Sequence, residues 1–153
     1  MTIPKPVTAS AKVALIGPAS RINPQIVDSL VSLYNDSPGD LPGGELIVYP
    51  SALDANAEGS YAASLAQRVA DFRDAWSRDD VGLVICARGG YGCVHLLDYL
   101  EPEFIAAHPK WLVGFSDVSA LHALLFRCGI ASVHGGMAKQ LVEDTDSGFG
   151  GYR

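Results

Sequence analysis

Short apolar runs alternate with segments that carry apolar residues at helical spacing along most of this chain. The runs predict five buried strands, at 12–17, 45–49, 81–86, 111–113 and 131–134. The segments between them predict helices, one opening at Asn23-Pro24 and the others covering 62–76, 94–100, 102–107 and 118–126. Strands that alternate with helices over short connections indicate right-handed βαβ units and a parallel sheet covered on both faces.

This order of elements predicts an α/β fold with three layers, of the flavodoxin-like or the class I amidotransferase-like type. Ligands of such folds bind beyond the carboxyl ends of the strands. Arg88, Ser116 and His134 each follow directly from a predicted strand. We therefore expect these three residues to gather along one edge of the sheet.

Ser116 occupies the joint between the fourth strand and the helix that follows it. A serine on such a joint holds its hydroxyl outward, and the backbone N–H of the next residue, Asp117, can donate to an oxyanion. Both features suit a nucleophile in acyl transfer. In the alternative interpretation, Asp117 is an ordinary helix cap and Ser116 fills a turn, because both residue types are favoured there.

Glycines dominate the segment that follows the third strand, Arg88-Gly-Gly-Tyr-Gly92. The segment is compatible with a tight turn alone, with a phosphate cradle, or with a loop that brings a backbone N–H close to the Ser116 hydroxyl. A phosphate loop normally adds a Lys-Ser/Thr pair or the Gly-x-Gly-x-x-Gly spacing, and the segment has neither.

Composition narrows the classes of protein that the chain can belong to. It has 153 residues, of which 48% are hydrophobic and 18% charged, and this argues against disorder. A net charge of −6 without a basic cluster makes nucleic acid an unexpected partner. The three cysteines fit neither a disulfide framework nor a zinc spacing, so we expect a reduced, cytoplasmic environment. No signal peptide or membrane-spanning segment is recognised, and no membrane partner is expected.

Three motifs occur in a fixed order: Arg88-Gly-Gly-Tyr-Gly92, Gly114-Phe-Ser-Asp117 and His134-Gly-Gly-Met137. In this the chain resembles the N-terminal half of the LD-carboxypeptidases, serine peptidases of murein peptides that are related to the microcin C immunity peptidases. The resemblance implies that Ser116 is the nucleophile and that Gly90 contributes a second oxyanion N–H. It also implies a small peptide substrate and a role in peptidoglycan recycling. Because the oxyanion hole replaces a Lewis acid, neither a metal nor an organic cofactor is expected.

The base that would activate Ser116 is not evident in the sequence. The resemblance implies that a histidine and its orienting glutamate come from a second domain, which we do not find here. Among the histidines only His134 ends a strand on the expected edge, and for it a structural role is preferred over a catalytic one. The other three are set aside: His95, His108 and His122.

The expected organisation is a nucleophile-bearing domain over residues 1–137, followed over 138–153 by the start of an interdomain linker, with the C-terminal catalytic domain absent. Such a chain should be nearly inactive alone, and the apolar surface left near 138–153 should favour self-association, for example as a homodimer. Two alternatives stay open. One is an immunity-type peptidase acting on a peptide–nucleotide conjugate, and the other is a non-catalytic α/β module that binds a small anionic ligand.

Overall fold

Five parallel strands form the centre of the protein in a computed structural model, which describes residues 1–36, 39–54 and 59–143. The strands are β1 (Lys12–Ile16), β2 (Leu46–Val48), β3 (Val81–Cys86), β4 (Trp111–Gly114) and β5 (Val133–His134). They lie in the order β2-β1-β3-β4-β5, and every pairing is parallel. This is the doubly wound order of flavodoxin-like folds, so the predicted fold class is confirmed.

Alternating side chains of the strands build two separate cores, one on each face of the sheet. The helices in the described part of the chain are α1 (Pro24–Asp36), α2 (Leu65–Ser77), α3 (Pro102–Ala107), α4 (Ser119–Arg127) and α5 (Ala138–Glu143). Val13 and Leu15 point towards α1 and α5, whereas Ala14 and Ile16 point towards α2, α3 and α4. The three predicted layers therefore follow from the two-residue period of the strands.

Capping residues fix the start of two helices. The Asn23 side chain accepts a hydrogen bond of 3.0 Å from the backbone N–H of Gln25, as the Asn-Pro start of α1 predicts. Helix α2 begins at Leu65, three residues later than predicted, because the Ser64 hydroxyl accepts from the backbone N–H of Gln67 at 3.2 Å. The serine cap, and not the apolar pattern that begins at Ala62, therefore sets the first residue of α2.

The predicted helix through Val94, Leu97 and Leu100 is present, and it is a 3₁₀ helix. The segment Cys93–Tyr99 is a 3₁₀ helix, in which a turn takes three residues, so that Cys93 and Leu96 face the core. Val94 is 46% exposed as a result.

Both ends of the described chain contact the sheet layers. Residues 1–11, which precede β1, are held against the fold, since the Trp111 indole donates to the Lys5 carbonyl at 3.0 Å. At the other end, residues 138–143 of the predicted linker form α5, which packs against α1 and buries Ala138 and Leu141. The rest of the predicted linker, 144–153, lies outside the described residues, and the domain boundary stays a prediction. Over the described ranges, no helix combines the length and apolar character needed to cross a bilayer.

Candidate functional site

Ser116 lies where β4 gives way to a helix, and its backbone is held in an unusual conformation. Its φ of +62° is the one positive value among the described residues other than glycine. An L-residue enters this left-handed region at a cost of roughly 1–2 kcal/mol. The side chain is exposed, and Ser116–Val118 forms a short 3₁₀ turn that leads into α4. The predicted strand-to-helix joint is confirmed, and Ser116 is exposed there.

The joint is sharp because strand and helix approach each other closely at Gly114. A Cβ on Gly114 would lie 2.7 Å from a methyl carbon of Val118, so any larger residue would push the helix away from the strand. The Gly114 carbonyl accepts from the Gly135 N–H at 3.1 Å and bonds the His122 ring at 2.9 Å. These contacts fix the end of β4 just before Ser116.

The glycine-rich segment after β3 lies directly against Ser116. A Cβ on Gly89 would lie 3.0 Å from the Ser116 Cβ and 3.3 Å from its hydroxyl oxygen, so a larger residue would require Ser116 to shift by a few tenths of an ångström. Gly89 is buried, whereas Gly90 is exposed and has a φ of +106°. The structure therefore brings the two motifs to one edge of the sheet, as the strand order predicts.

Ser20, which follows β1, holds the middle of this loop. Its N–H donates to the Gly89 carbonyl at 3.1 Å, and its hydroxyl accepts from the Tyr91 N–H at 3.1 Å. A Cβ on Gly90 would lie 2.2 Å from the Ser20 hydroxyl oxygen. The loop conformation thus depends on small residues on both sides of the contact.

Asp117 uses its side chain to cap a neighbouring helix and not its own. Its Oδ2 accepts a hydrogen bond of 2.8 Å from the N–H of Cys93, the first residue of the 3₁₀ helix after the glycine-rich loop. No side-chain cap is present at the start of Ser116–Val118. The capping interpretation of Asp117 is therefore correct in kind and wrong in the helix that it caps.

The histidines differ in how far they are engaged. His122 bonds the Gly114 carbonyl through Nε2 and the Ser132 hydroxyl through Nδ1, at 2.9 and 2.7 Å. Burial lowers its pKa, the Gly114 bond opposes that shift, and the charge of His134 adds to it. Because both of its ring nitrogens are hydrogen-bonded within the fold, His122 has a structural role.

His134 is exposed at the end of β5, and its ring centroid lies 6.3 Å from that of Phe115, the residue before Ser116. His95 packs edge-on against Tyr91, and His108 bonds the Phe104 carbonyl. Arg88 is exposed and donates to the Arg21 carbonyl at 2.9 Å, beside the same edge. The three residues expected at the edge, Arg88, Ser116 and His134, are all found at its strand ends.

The sequence pattern missed two buried charged residues of α2. Its apolar residues at helical spacing include Leu65 and Val69, which are only partly buried, whereas Arg68 and Asp71 are 3% and 4% exposed. Asp71 accepts from the Ser51 N–H at 2.6 Å, and the Ser51 hydroxyl accepts from the Gly17 N–H at 3.0 Å. The signal available in the sequence was their helical spacing with Phe72 and Ala75, which a search for apolar residues passes over.

The thiols do not compete with Ser116 as nucleophiles. Cys86 and Cys93 are buried, and burial raises the pKa of each thiol well above its usual value. A raised pKa leaves little of the reactive thiolate. Within the described residues, no group of three or more His, Cys, Asp or Glu side chains is arranged as a metal site.

Comparisons with known proteins identify the family of the chain. The profile of the LD-carboxypeptidase N-terminal domain matches residues 13–135. The murein tetrapeptide carboxypeptidase of Pseudomonas aeruginosa is 34% identical over 134 residues, which cover 85% of this chain and 40% of that protein. The chain therefore spans less than half of the length of the relatives that it matches.

Solved structures show the same fold. A muramoyltetrapeptide carboxypeptidase from Oxalobacter formigenes superimposes with a TM-score of 0.72 and 26% identity, covering 84% of this chain and 40% of that one. An MccF-like protein from Bacillus anthracis gives a TM-score of 0.80 at 19% identity, covering 95% of this chain and 43% of that one. With the profile match across both motifs, these comparisons establish that the chain belongs to the LD-carboxypeptidase family.

Proposed function

We propose that this protein is the nucleophile-bearing part of a serine carboxypeptidase that hydrolyses an L,D-amide bond in murein peptides. The observation that carries the proposal is the strained, exposed Ser116 at the β4 joint, with the Gly89 backbone packed against it. Strain of this kind persists only where the surrounding structure imposes it, and it gathers at functional sites. An ordinary turn serine has no need of it.

In the proposed reaction the Ser116 oxygen attacks the amide carbonyl carbon, and its proton passes to a base. The carbonyl oxygen becomes an oxyanion that the N–H groups of Gly90 and Asp117 stabilise. Each such donor is worth about 3–4 kcal/mol in the transition state. The C–N bond then breaks, the D-residue leaves as the protonated amine, and water releases the acyl group from Ser116.

The base and its orienting carboxylate are proposed to lie outside these 153 residues, in a second domain that follows the nucleophile domain. His122 supports this division because both of its ring nitrogens are engaged within the fold. Residues 1–137 would then supply the nucleophile and the oxyanion hole, and the second domain the proton transfer. The free cysteines support work in a reducing compartment such as the cytoplasm.

A murein peptide is favoured over a peptide–nucleotide conjugate as the substrate. The relative named as a murein tetrapeptide carboxypeptidase is 34% identical, whereas the MccF structures, one of them in complex with glutamyl sulfamoyl guanosine, are 16–17% identical. The immunity-type activity is therefore the second candidate within the same reaction class.

The test uses the product of the complete gene and an L,D-tetrapeptide, with release of the terminal D-residue as the readout. Ser116→Ala should lower kcat by at least about 10⁴-fold, because only the oxyanion hole and binding remain. Ser119→Ala is the matched control, since Ser119 is exposed one turn further along the same segment. Turnover that survives in Ser116→Ala would overturn the proposal. If the gene product binds a small anion at this site but does not hydrolyse the peptide, the non-catalytic α/β module would be favoured.

A further inference from the structure

Arg68 is a buried cation that reaches from α2 into the loops at the carboxyl edge of the sheet. It is 3% exposed, and its guanidinium donates to three backbone carbonyls. These belong to Ala63 at 3.1 Å, Pro18 at 2.8 Å and Gly92 at 3.0 Å. One side chain therefore joins the start of α2, the segment after β1 and the end of the glycine-rich loop.

The Gly92–Cys93 peptide group is held at both of its polar ends. Its carbonyl accepts from Arg68 at 3.0 Å, and its N–H donates to the Asp117 carboxylate at 2.8 Å. The peptide dipole thus lies between a cation and an anion that match its two ends. We call this arrangement the peptide clamp, formed by Arg68, the Gly92–Cys93 peptide group and Asp117.

The residues next to the peptide clamp leave space for the Arg68 guanidinium and contact it. Gly92 has a φ of +130°, and a Cβ on it would lie 2.8 Å from Arg68 Nη1. The guanidinium carbon lies 4.9 Å from the centre of the Tyr61 ring. Burial lowers the pKa of Arg68, and nearby groups that include the Asp117 carboxylate oppose that shift. A buried cation is costly unless it is hydrogen-bonded, and the three carbonyls supply those bonds to the guanidinium.

We propose that Arg68 is a positioning residue for the reaction, acting through the peptide clamp on the glycine-rich loop. The clamp ties the end of this loop to Asp117, the residue after the proposed nucleophile. It thereby sets where the Gly90 N–H lies relative to Ser116. This inference rests on the proposed function, in which that N–H stabilises the oxyanion.

The kinetic test replaces Arg68 with alanine in the product of the complete gene. A misplacement of about 1 Å at a reacting centre costs about 10²-fold, so kcat should fall by about that factor with KM changed less than threefold. Guanidinium ion at tens of millimolar should enter the vacated space and restore kcat at least tenfold. Arg73→Ala is the matched control on the same helix, because Arg73 also donates to a carbonyl, that of Tyr99, and lies over the Phe104 ring. Guanidinium should have no effect on this control.

A second readout is independent of turnover. The amide resonances of Gly89, Gly90 and Tyr91 should shift in Arg68→Ala, return with guanidinium, and stay unchanged in Arg73→Ala. If Ser116→Ala keeps its activity, the proposed function is wrong. The loop resonances still test whether the peptide clamp positions the glycine-rich loop. Unchanged loop resonances, or an unchanged kcat in a folded Arg68→Ala, would overturn the inference. Should Arg68→Ala not fold, Arg68→Lys is measured in its place, and normal loop resonances with a normal kcat would then overturn it.

Discussion

The Oδ2 atom of Asp117 accepts a hydrogen bond of 2.8 Å from the backbone N–H of Cys93. Asp117 follows Ser116 at the end of β4, and Cys93 follows the glycine-rich loop at the end of β3. The bond therefore joins the ends of two neighbouring parallel strands, and with them the two motifs that carry the proposed chemistry. Its energetic and functional effects can be separated by substitution.

Asp117→Ala should destabilise the protein by about 1 kcal/mol, because an N-terminal N–H of the Cys93–Tyr99 helix loses its acceptor. Asp117→Asn keeps an oxygen that accepts from Cys93 and removes only the charge, so its loss should be smaller. Urea unfolding of both variants measures the difference. Equal losses in the two variants would show that the charge, and not the hydrogen bond, stabilises the joint.

Ser116→Gly should raise the free energy of unfolding by about 1 kcal/mol, because glycine adopts a φ of +62° without the cost that serine bears. Ser116→Ala keeps the strained backbone and should leave stability close to that of the parent. Ser119→Gly, in the first turn of α4, should instead lose roughly 0.5 kcal/mol. Thermal or urea unfolding of the three variants checks the order, and a Ser116→Gly no more stable than Ser116→Ala would contradict it.

The sequence could predict the sheet and the Ser116 joint because both depend on local patterns. Short apolar runs mark the strands, and the parallel arrangement places Arg88, Ser116 and His134 at one edge. Arg68 was not predictable in this way, because its burial depends on carbonyls at Pro18 and Gly92, which are distant in sequence. A guanidinium that satisfies backbone acceptors from several segments leaves no periodic signal.

The partner of Asp117 was unpredictable for a related reason. Helix capping is usually local, and the sequence favoured a cap on the helix that contains Asp117 itself. In the structure the Cys93 N–H lies within hydrogen-bond distance of the Asp117 carboxylate, because β3 and β4 are neighbours and the segments that follow them meet. Only the three-dimensional pairing of the strands reveals this contact.

Lys110 provides a test of buried charge away from the proposed site. It is 6% exposed, and its ammonium donates to three carbonyls, those of Ala75, Arg78 and Val81. Burial, opposed by the attraction of Asp79 and Asp80, lowers its pKa to about 8. Above pH 8 the folded protein releases this proton before the unfolded chain does. The unfolded state then binds more protons, so stability should rise with pH through this group.

The measurement compares the parent with Lys110→Met by urea unfolding between pH 7 and pH 10.5. The comparison cancels the tyrosines and thiols that titrate in the same range. The parent should gain on the variant by up to about 1.4 kcal/mol per pH unit above pH 8. A difference between the two proteins that stays constant over this range would show that the pKa of Lys110 is not lowered.

His122, which lies beside the Ser116 joint, should make the stability of the protein depend on pH in the acidic range. Its pKa is lowered chiefly by burial, so the folded protein binds the proton less readily than the unfolded chain. The stabilisation is fully present above the unfolded pKa of about 6.5, and it is lost as pH falls towards the lowered folded value. The parent should therefore lose stability between pH 7 and pH 5 relative to His122→Gln, whose amide does not titrate and can still donate to the Gly114 carbonyl. His134→Gln removes the charge that adds to the shift, and it should raise the pKa of His122 in an NMR titration of the ring protons. Parallel pH profiles for the parent and His122→Gln would contradict the assignment of a lowered pKa to this ring.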